Sequence, residues 1–306
     1  MTDTDIILHH FDASPFAEKI RMALGMKGLR WQSVDIPMVM PKPDLTALTG
    51  GYRKTPVMQI GADIYCDTQC IARELERRYP HPTLFPKNSE ALAVALSRWS
   101  DAAFFQPGAG LSMGTNEALP EDILADRRAF FNFLDFSTLQ QQLPHLYAQF
   151  RAQLQLVEDM LSDGRDYVLG DQPGWCDILA WFPIWMCRGN IANAEELLGD
   201  LPKLLVWENR MTAIGHGAPT PLDATEALAI ARTSTAASNA QVDATARPAM
   251  AAGASVTVTP DDYGAVPVAG ELMGLTQYDV SLKRSDPKTG DVVVHFPRIG
   301  YRVEPA

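Results

Sequence analysis

Hydrophobic and polar positions over the first 86 residues alternate between strand-like and helix-like periods. Ile6, Ile7 and Leu8 form a short apolar run suited to a buried strand. Ser14-Pro15 follows, a good N-cap residue before the residue favoured at the first helical position. Phe16, Ile20 and Leu24 then recur at i, i+4 and i+8, with Glu18, Lys19, Arg21 and Lys27 assigned to a water-facing side. Gly25 and Gly28 supply stop signals for this helix. Residues 31–36 predict a second strand, and residues 56–60 and 63–65 a hairpin around Gly61-Ala62. A helix opens at Asp67 with Ile71, Leu75 and Tyr79 as its stripe and Glu74 four residues before Arg78; Pro80 and Pro82 end it. The predicted order is β-α-β, a helical or irregular stretch, then β-β-α.

Residues 87–232 carry the helical period, with stripes near 90–105, 124–136, 143–161, 175–188 and 203–214 and turn residues at 116–121 and 163–172. Residues 233–254 hold nine alanines in 22 positions and almost no large apolar side chain, which predicts a linker or a weak helical extension. Strict alternation then returns: Val256 and Val258; Tyr278, Val280 and Leu282; Val292, Val294 and Phe296. This predicts a small β-rich unit over residues 255–306, too short to stand alone and expected to rest on the helical part.

Composition narrows the partners. At 306 residues and 33.6 kDa, with 46% hydrophobic and 21% charged residues, most of the chain has material for a core. Lys and Arg number 26 against 37 Asp and Glu, a formal charge of −11. Nucleic acids and anionic membranes, themselves negative, are therefore disfavoured partners. The polar, acidic start lacks a signal peptide's basic and apolar regions, and no run reaches the ~18 apolar residues of a membrane span. Four cysteines are too few for a disulfide scaffold. The expectation is a soluble, cytoplasmic protein with reduced thiols.

Three segments suggest chemistry. Ser14 stands where a helix N-terminus and a hydroxyl donor would both favour an anion, a thiolate included. Such surroundings bring a thiol from ~8.5 into the range of ~3.5–7.5. In isolation an N-cap is the plainer role. Thr55-Pro56-Val57 precedes an apolar strand, and a cis proline there would leave the backbone open to an extended peptide, although a plain loop-to-strand proline fits as well. Asp67-Thr68 opens a helix and offers either capping or a carboxylate site. Cys66, Cys70, Cys176 and Cys187 read as small core residues. The six histidines show no metal spacing, and His9-His10, at the end of the first strand, read as packing with either able to line a nearby site.

Together, in this order on a β-α-β and β-β-α frame, the three segments resemble the glutathione transferase superfamily, the Ser-Pro-Phe wording being closest to serine-type, tau-like classes. The resemblance spans about the first 215 residues. It implies an α/β thioredoxin-like glutathione-binding domain over 1–86 and an all-α helical bundle from 87 to about 215, inside the helical domain read over 87–232; a linker over 233–254 and the small β-rich C-terminal extension over 255–306 follow. It implies Ser14 on the glutathione sulfur as the catalytic residue. Thr55 and the cis Pro56 would meet the cysteinyl part, Lys54 the glycine carboxylate, and Asp67 and Thr68 the γ-glutamyl end. Glutathione would be the co-substrate, with no metal, and the partner a small hydrophobic electrophile in a pocket to which Phe104, Phe105, Met113, Trp181 and Trp185 are candidates. A homodimer is implied by the family alone. The same site would serve a glutathione-dependent reductase or an ether-cleaving enzyme, and the added C-terminal unit leaves room for a non-catalytic binding or scaffold protein. No thiol occupies 14–17, which disfavours dithiol and mixed-disulfide chemistry. One departure lies in the helical part, where the family usually has Ser or Thr at the cap of its central helix: here Gly174 stands before Asp177.

Overall fold

The computed structural model describes residues 6–116, 119–237 and 241–306; the first five residues, part of the 116–121 turn and residues 238–240 of the linker lie outside them. The chain forms two compact units. One takes the chain up to Ile20, Leu29–Leu75 and Ala218–Ala306; the other takes Arg21–Gly28 and Glu76–Gly217.

The first unit contains β1 (Ile7–His10), the start of α1 (Pro15–Met26), β2 (Arg30–Asp35), α2 (Pro43–Thr49), β3 (Val57–Ile60), β4 (Asp63–Cys66) and the start of α3 (Thr68–Arg78). β1 runs parallel to β2 and antiparallel to β3, and β3 and β4 form the expected hairpin. All four residues of β1 and of β4 are buried, which explains their unbroken apolar or mixed character in place of alternation.

The second unit is helical: α4 (Glu90–Arg98), α5 (Phe105–Thr115), α6 (Glu121–Phe130), α7 (Leu139–Met160), α8 (Trp175–Asn190), α9 (Ala194–Leu198) and α10 (Pro202–Ile214). Asp177, in the first turn of α8, is buried. It accepts hydrogen bonds from the N–H of Val168 (2.8 Å), the N–H of Gly174 (3.0 Å) and Trp207 Nε1 (2.9 Å). Burial pushes its carboxyl up to about 6 against the pull of these donors. The glycine cap has a steric cause. A Cβ on Gly174 would lie 2.7 Å from Pro86 Cδ and 3.2 Å from the Leu84 carbonyl oxygen, so neither Ser nor Thr fits. The helix keeps one half of the capping box through Asp177 and makes the other with the Gly174 carbonyl, which accepts from the Asp177 N–H at 3.0 Å. No described helix is long and apolar enough to cross a membrane.

The chain then returns to the first unit through β5 (Ala218–Pro221), α11 (Ala224–Thr233), β6 (Gln241–Val242), β7 (Ser255–Pro260), β8 (Val268–Leu275), β9 (Asp279–Asp286), β10 (Gly290–Pro297) and β11 (Tyr301–Pro305). Three expectations change here. The helical stretch does not run to 232: Pro219 and Pro221 place 218–221 as an edge strand beside β2, a position that tolerates proline, and α11 belongs to the first unit. The described residues of the 233–254 segment are docked, with β6 paired to β8, Ala246 buried and the Ala237 N–H donating to Asp63 at 2.7 Å. Its small side chains let the backbone lie close to the sheet, and they also hide the fact from a search for apolar stripes. Finally, the C-terminal strands form no separate unit resting on the helices. β10 pairs in parallel with β4, and the order β11-β7-β8-β9-β10-β4-β3-β1-β2-β5 makes one sheet, with β6 beside β8. Val256, Val280, Leu282, Val294 and Phe296 share one core with Ile7, Val34, Val57 and Ile64.

The junction is pinned by polar groups. Asp63, 2% exposed, takes the Ala237 N–H on one carboxylate oxygen and His295 Nε2 (2.8 Å) on the other, and the His295 ring stacks on Tyr65 at 4.5 Å. Because a carboxylate only accepts, His295 carries its proton on Nε2.

α1 also departs from the expected water-facing side, since Glu18, Lys19, Arg21 and Lys27 are all buried. Lys27 is held by Glu76 Oε2 at 2.7 Å and by the carbonyls of Tyr79 and Pro82, Lys19 lies over the Phe16 ring at 4.5 Å and Arg21 over Trp185 at 5.4 Å. Periodicity locates a helix's apolar stripe, but it does not show that long charged side chains find partners on the other faces.

His9 yields a pH prediction. It is buried, and its Nε2 meets Gln59 Oε1 at 2.8 Å while Gln59 Nε2 donates to the carbonyls of Gly61 and Ala227. With both amide hydrogens used, Oε1 accepts and the imidazole is neutral with its proton on Nε2. Burial, outweighing the bond to Gln59, lowers its pKa from 6.5 to about 4. The unfolded chain thus binds a proton below pH 6.5 that the folded chain refuses until about pH 4, so stability present at neutral pH is lost as pH falls through that window. Between pH 7 and pH 5 the loss from this group is about 2 kcal/mol. Urea melts of wild type and His9→Gln at both pH values check this: the variant is expected to show a smaller drop in midpoint, and equal drops would refute it.

Candidate functional site

All six predicted site residues fall in the first unit. Ser14, 3% exposed, precedes α1; its N–H donates to the Phe11 carbonyl (3.1 Å) and its Oγ accepts from the Ala17 N–H (3.2 Å). The capping role is therefore real. It uses a lone pair and leaves the hydroxyl's own proton as a donor beside the positive end of the helix. Lys42 ties this loop to the next segment. Its Nζ lies 5.3 Å over the Phe11 ring and donates to Thr55 Oγ1 at 3.2 Å. The Thr55–Pro56 peptide is cis, and Pro56 is buried immediately before β3.

Asp67 adopts a left-handed backbone with φ 78°, a conformation that Asp tolerates better than most residues. Its Oδ1 accepts from the Gln69 N–H at 2.8 Å at the start of α3, where Thr68 is buried. Its Oδ2 accepts from the Tyr301 hydroxyl at 3.0 Å, and that hydroxyl lies 3.2 Å from the Tyr52 hydroxyl. Tyr301 has one proton and gives it to the carboxylate, so Tyr52 donates to Tyr301. Burial, with the Asp67 charge next, pushes both phenols well above their ordinary value. The series Tyr52–Tyr301–Asp67 thus joins the residues just before Lys54 to the start of α3. Lys54 itself forms an ion pair with Asp262 and lies 4.6 Å from the centre of the Tyr263 ring.

The sequence reading missed Tyr52, Asp262, Tyr263 and Tyr301. Three of the four come from the C-terminal strands and their connections, more than 190 residues after Lys54. The alternation around Val258 and Val303 marks strands but says nothing of where those strands dock.

The remaining candidates fall into place as structure. His9 is bonded to Gln59, and His10 to Ser33 Oγ at 2.9 Å with its ring 5.5 Å from Trp31. Cys66 and Cys70 are buried free thiols, raised well above their usual value chiefly by burial and so poor nucleophiles. Phe104, Phe105 and Trp181, named for an apolar pocket, are at most 5% exposed and belong to the helical core, where Phe104 packs on Phe150 and Phe105 on Phe182. Met113 and Trp185 are only partly buried. No group of three His, Cys, Asp or Glu among the described residues is arranged to hold a metal ion.

Comparison with known proteins bears on this geometry. Residues 8–83 match the family described as glutathione S-transferase, N-terminal domain, and residues 116–219 match a domain of unknown function. A solved structure of a GST-like protein from Pseudomonas syringae is 36% identical, superposes with a TM-score of 0.79 and is covered over 99% of either chain. The chain belongs to the glutathione transferase superfamily. Within that superfamily, glutathione S-transferase U4 of Arabidopsis thaliana is 25% identical over 218 residues, covering 69% of this chain and 86% of its own. The β-etherase LigF of Sphingobium sp. strain SYK-6 shares the fold at 18% identity and a TM-score of 0.51, over 68% of this chain and 95% of its own. The superfamily assignment accounts for the thioredoxin-like part and the helical part. The full-length match to the Pseudomonas protein extends the likeness across the C-terminal strands.

Proposed function

We propose that this superfamily member is a glutathione transferase that activates the glutathione thiol for attack on a small hydrophobic electrophile. The observation that carries the reading is Ser14, a buried hydroxyl at the N-terminus of a 12-residue helix that accepts from Ala17 and keeps its proton to donate. A sulfur held there would meet a hydroxyl donor and the positive end of the helix dipole, both of which favour the thiolate. Thr55, ahead of the cis Pro56, offers its backbone to the cysteinyl part. Asp67 and Thr68 at the start of α3 suit the ammonium and carboxylate of a γ-glutamyl group, and Lys54 stands at the other end for a carboxylate. A cytoplasmic setting and a homodimer come with the family reading.

A second reading, a binding or scaffold protein without chemistry, is favoured by one fact. Lys54 and Asp67 are both engaged by the chain's own C-terminal residues, Asp262 and Tyr301. Calorimetry with glutathione, followed by turnover assays with a panel of aryl halides, peroxides and aryl ethers, separates the two. Transferase function predicts binding at or below millimolar glutathione and conjugation of at least one halide. Peroxide reduction or ether cleavage alone would assign the site to those reactions, and no binding would leave the scaffold reading standing.

A further inference from the structure

Resting on the glutathione reading, we propose that Asp262 and Tyr263 set the specificity of this site at its Lys54 end. They suit it to a γ-glutamyl thiol whose C-terminal group is an amide, an ester or an amine conjugate in place of a free carboxylate. Lys54 is held on two sides. Its ammonium is paired with the Asp262 carboxylate on one side and covered by the Tyr263 ring at 4.6 Å on another, leaving the lysine side chain 13% exposed. Asp262 keeps 43% of its side chain exposed.

Both residues sit on the connection from β7 to β8, and this connection is anchored. The Asp261 N–H donates to the Gly300 carbonyl at 3.0 Å, the Val266 N–H to the Gly264 carbonyl at 2.8 Å, and Tyr263 is buried to 7%. Asp262 is thus presented from a fixed turn and is not a passing neighbour. A free carboxylate reaching Lys54 would meet a neutralised cation with a second carboxylate beside it, and would have to displace Asp262 or bear the repulsion. A neutral carbonyl can accept from the ammonium without that penalty, an amide N–H can donate to Asp262, and an amine tail would pair with it. The opposite end of the site differs: the Tyr301 hydroxyl supports Asp67 as an anion, which keeps its preference for an ammonium group. The two ends therefore differ: an anionic Asp67 at one, a neutralised Lys54–Asp262 pair at the other.

The test uses the full-length protein, wild type and Asp262→Asn, with glutathione and its glycyl monoethyl ester as the two probes in isothermal calorimetry. The wild type is expected to bind the ester at least as tightly as glutathione. Asp262→Asn is expected to tighten glutathione about fivefold while leaving the ester within about twofold. A wild type that prefers glutathione over the ester by more than about fivefold overturns the inference, as does a preference ratio unchanged in the variant; in both cases the glutathione reading survives. Absence of binding by both probes to both proteins overturns the glutathione reading itself, and the inference falls with it. The exposed position of Asp262 makes an effect on folding small, and equal melting temperatures for the two proteins confirm that.

Discussion

Ser14→Ala is expected to lower glutathione-dependent kcat/KM toward a chromogenic electrophile by about 100-fold while changing glutathione affinity little. A hydrogen bond to a charged group contributes ~1.5–3 kcal/mol, and each 1.4 kcal/mol is tenfold in rate. On the proposed reading the affinity is spared, because the remaining contacts with glutathione would fall to Lys54, Thr55, Asp67 and Thr68. Alanine also removes the acceptor of the Ala17 N–H, a cap worth ~1 kcal/mol. A fall in activity could then come from a frayed α1. Ser14→Gly separates the two effects, since glycine costs a cap only a few tenths of a kcal/mol yet has no hydroxyl. Both variants are expected to return the bound thiol toward ~8.5, read from thiolate absorbance near 240 nm against pH. A Ser14→Gly protein with wild-type turnover and an unshifted thiol would show that Ser14 only caps the helix.

Ending the chain at residue 254 is expected to abolish cooperative folding of the first unit. The truncation removes Val256, Val258, Val268, Leu272, Leu275, Val280, Leu282, Val292, Val294, Phe296, Tyr301 and Val303 from the shared core. Burial of such side chains contributes ~1.5–3 kcal/mol each, so their sum exceeds the ~5–15 kcal/mol by which a whole domain is stable. The cut also strips β4 of its neighbour and removes His295, the side-chain partner of Asp63. Expression of 1–254 should yield insoluble protein or a chain without a sharp thermal transition by near-ultraviolet circular dichroism. A soluble fragment with a cooperative melt would show that β1 to β4 hold a sufficient core alone.

The features legible in the sequence were those carried by neighbours along the chain. The Phe16, Ile20, Leu24 stripe located α1, the Gly61-Ala62 pair located the β3–β4 hairpin, and the alternation at Val292, Val294 and Phe296 marked β10. The helix starts at Ser14 and Asp67 were likewise local signals, whereas the cis peptide before Pro56 was implied by the family resemblance, a plain loop-to-strand proline fitting the local sequence as well. What escaped was long-range. A period of two shows that a strand has two faces but not which edge it joins, so β10 beside β4 was invisible. For the same reason Tyr301 on Asp67 and Asp262 on Lys54 could not be foreseen, although every residue involved was in view. The burial of Lys27 escaped because its partners are two backbone carbonyls and Glu76, none of which is marked by residue spacing.

The parallel pairing of β10 with β4 has a consequence for synthesis. Asp63 and His295, which pin that seam, are 232 residues apart. At ~5–20 residues per second, a ribosome leaves β4 waiting roughly ten to fifty seconds for its neighbour. During that interval the nascent chain carries an open, mostly apolar strand edge, the feature that invites pairing with other chains. This protein cannot complete its first domain while its second is being made, so its yield in a cell depends on whatever shields that edge until the last residues emerge.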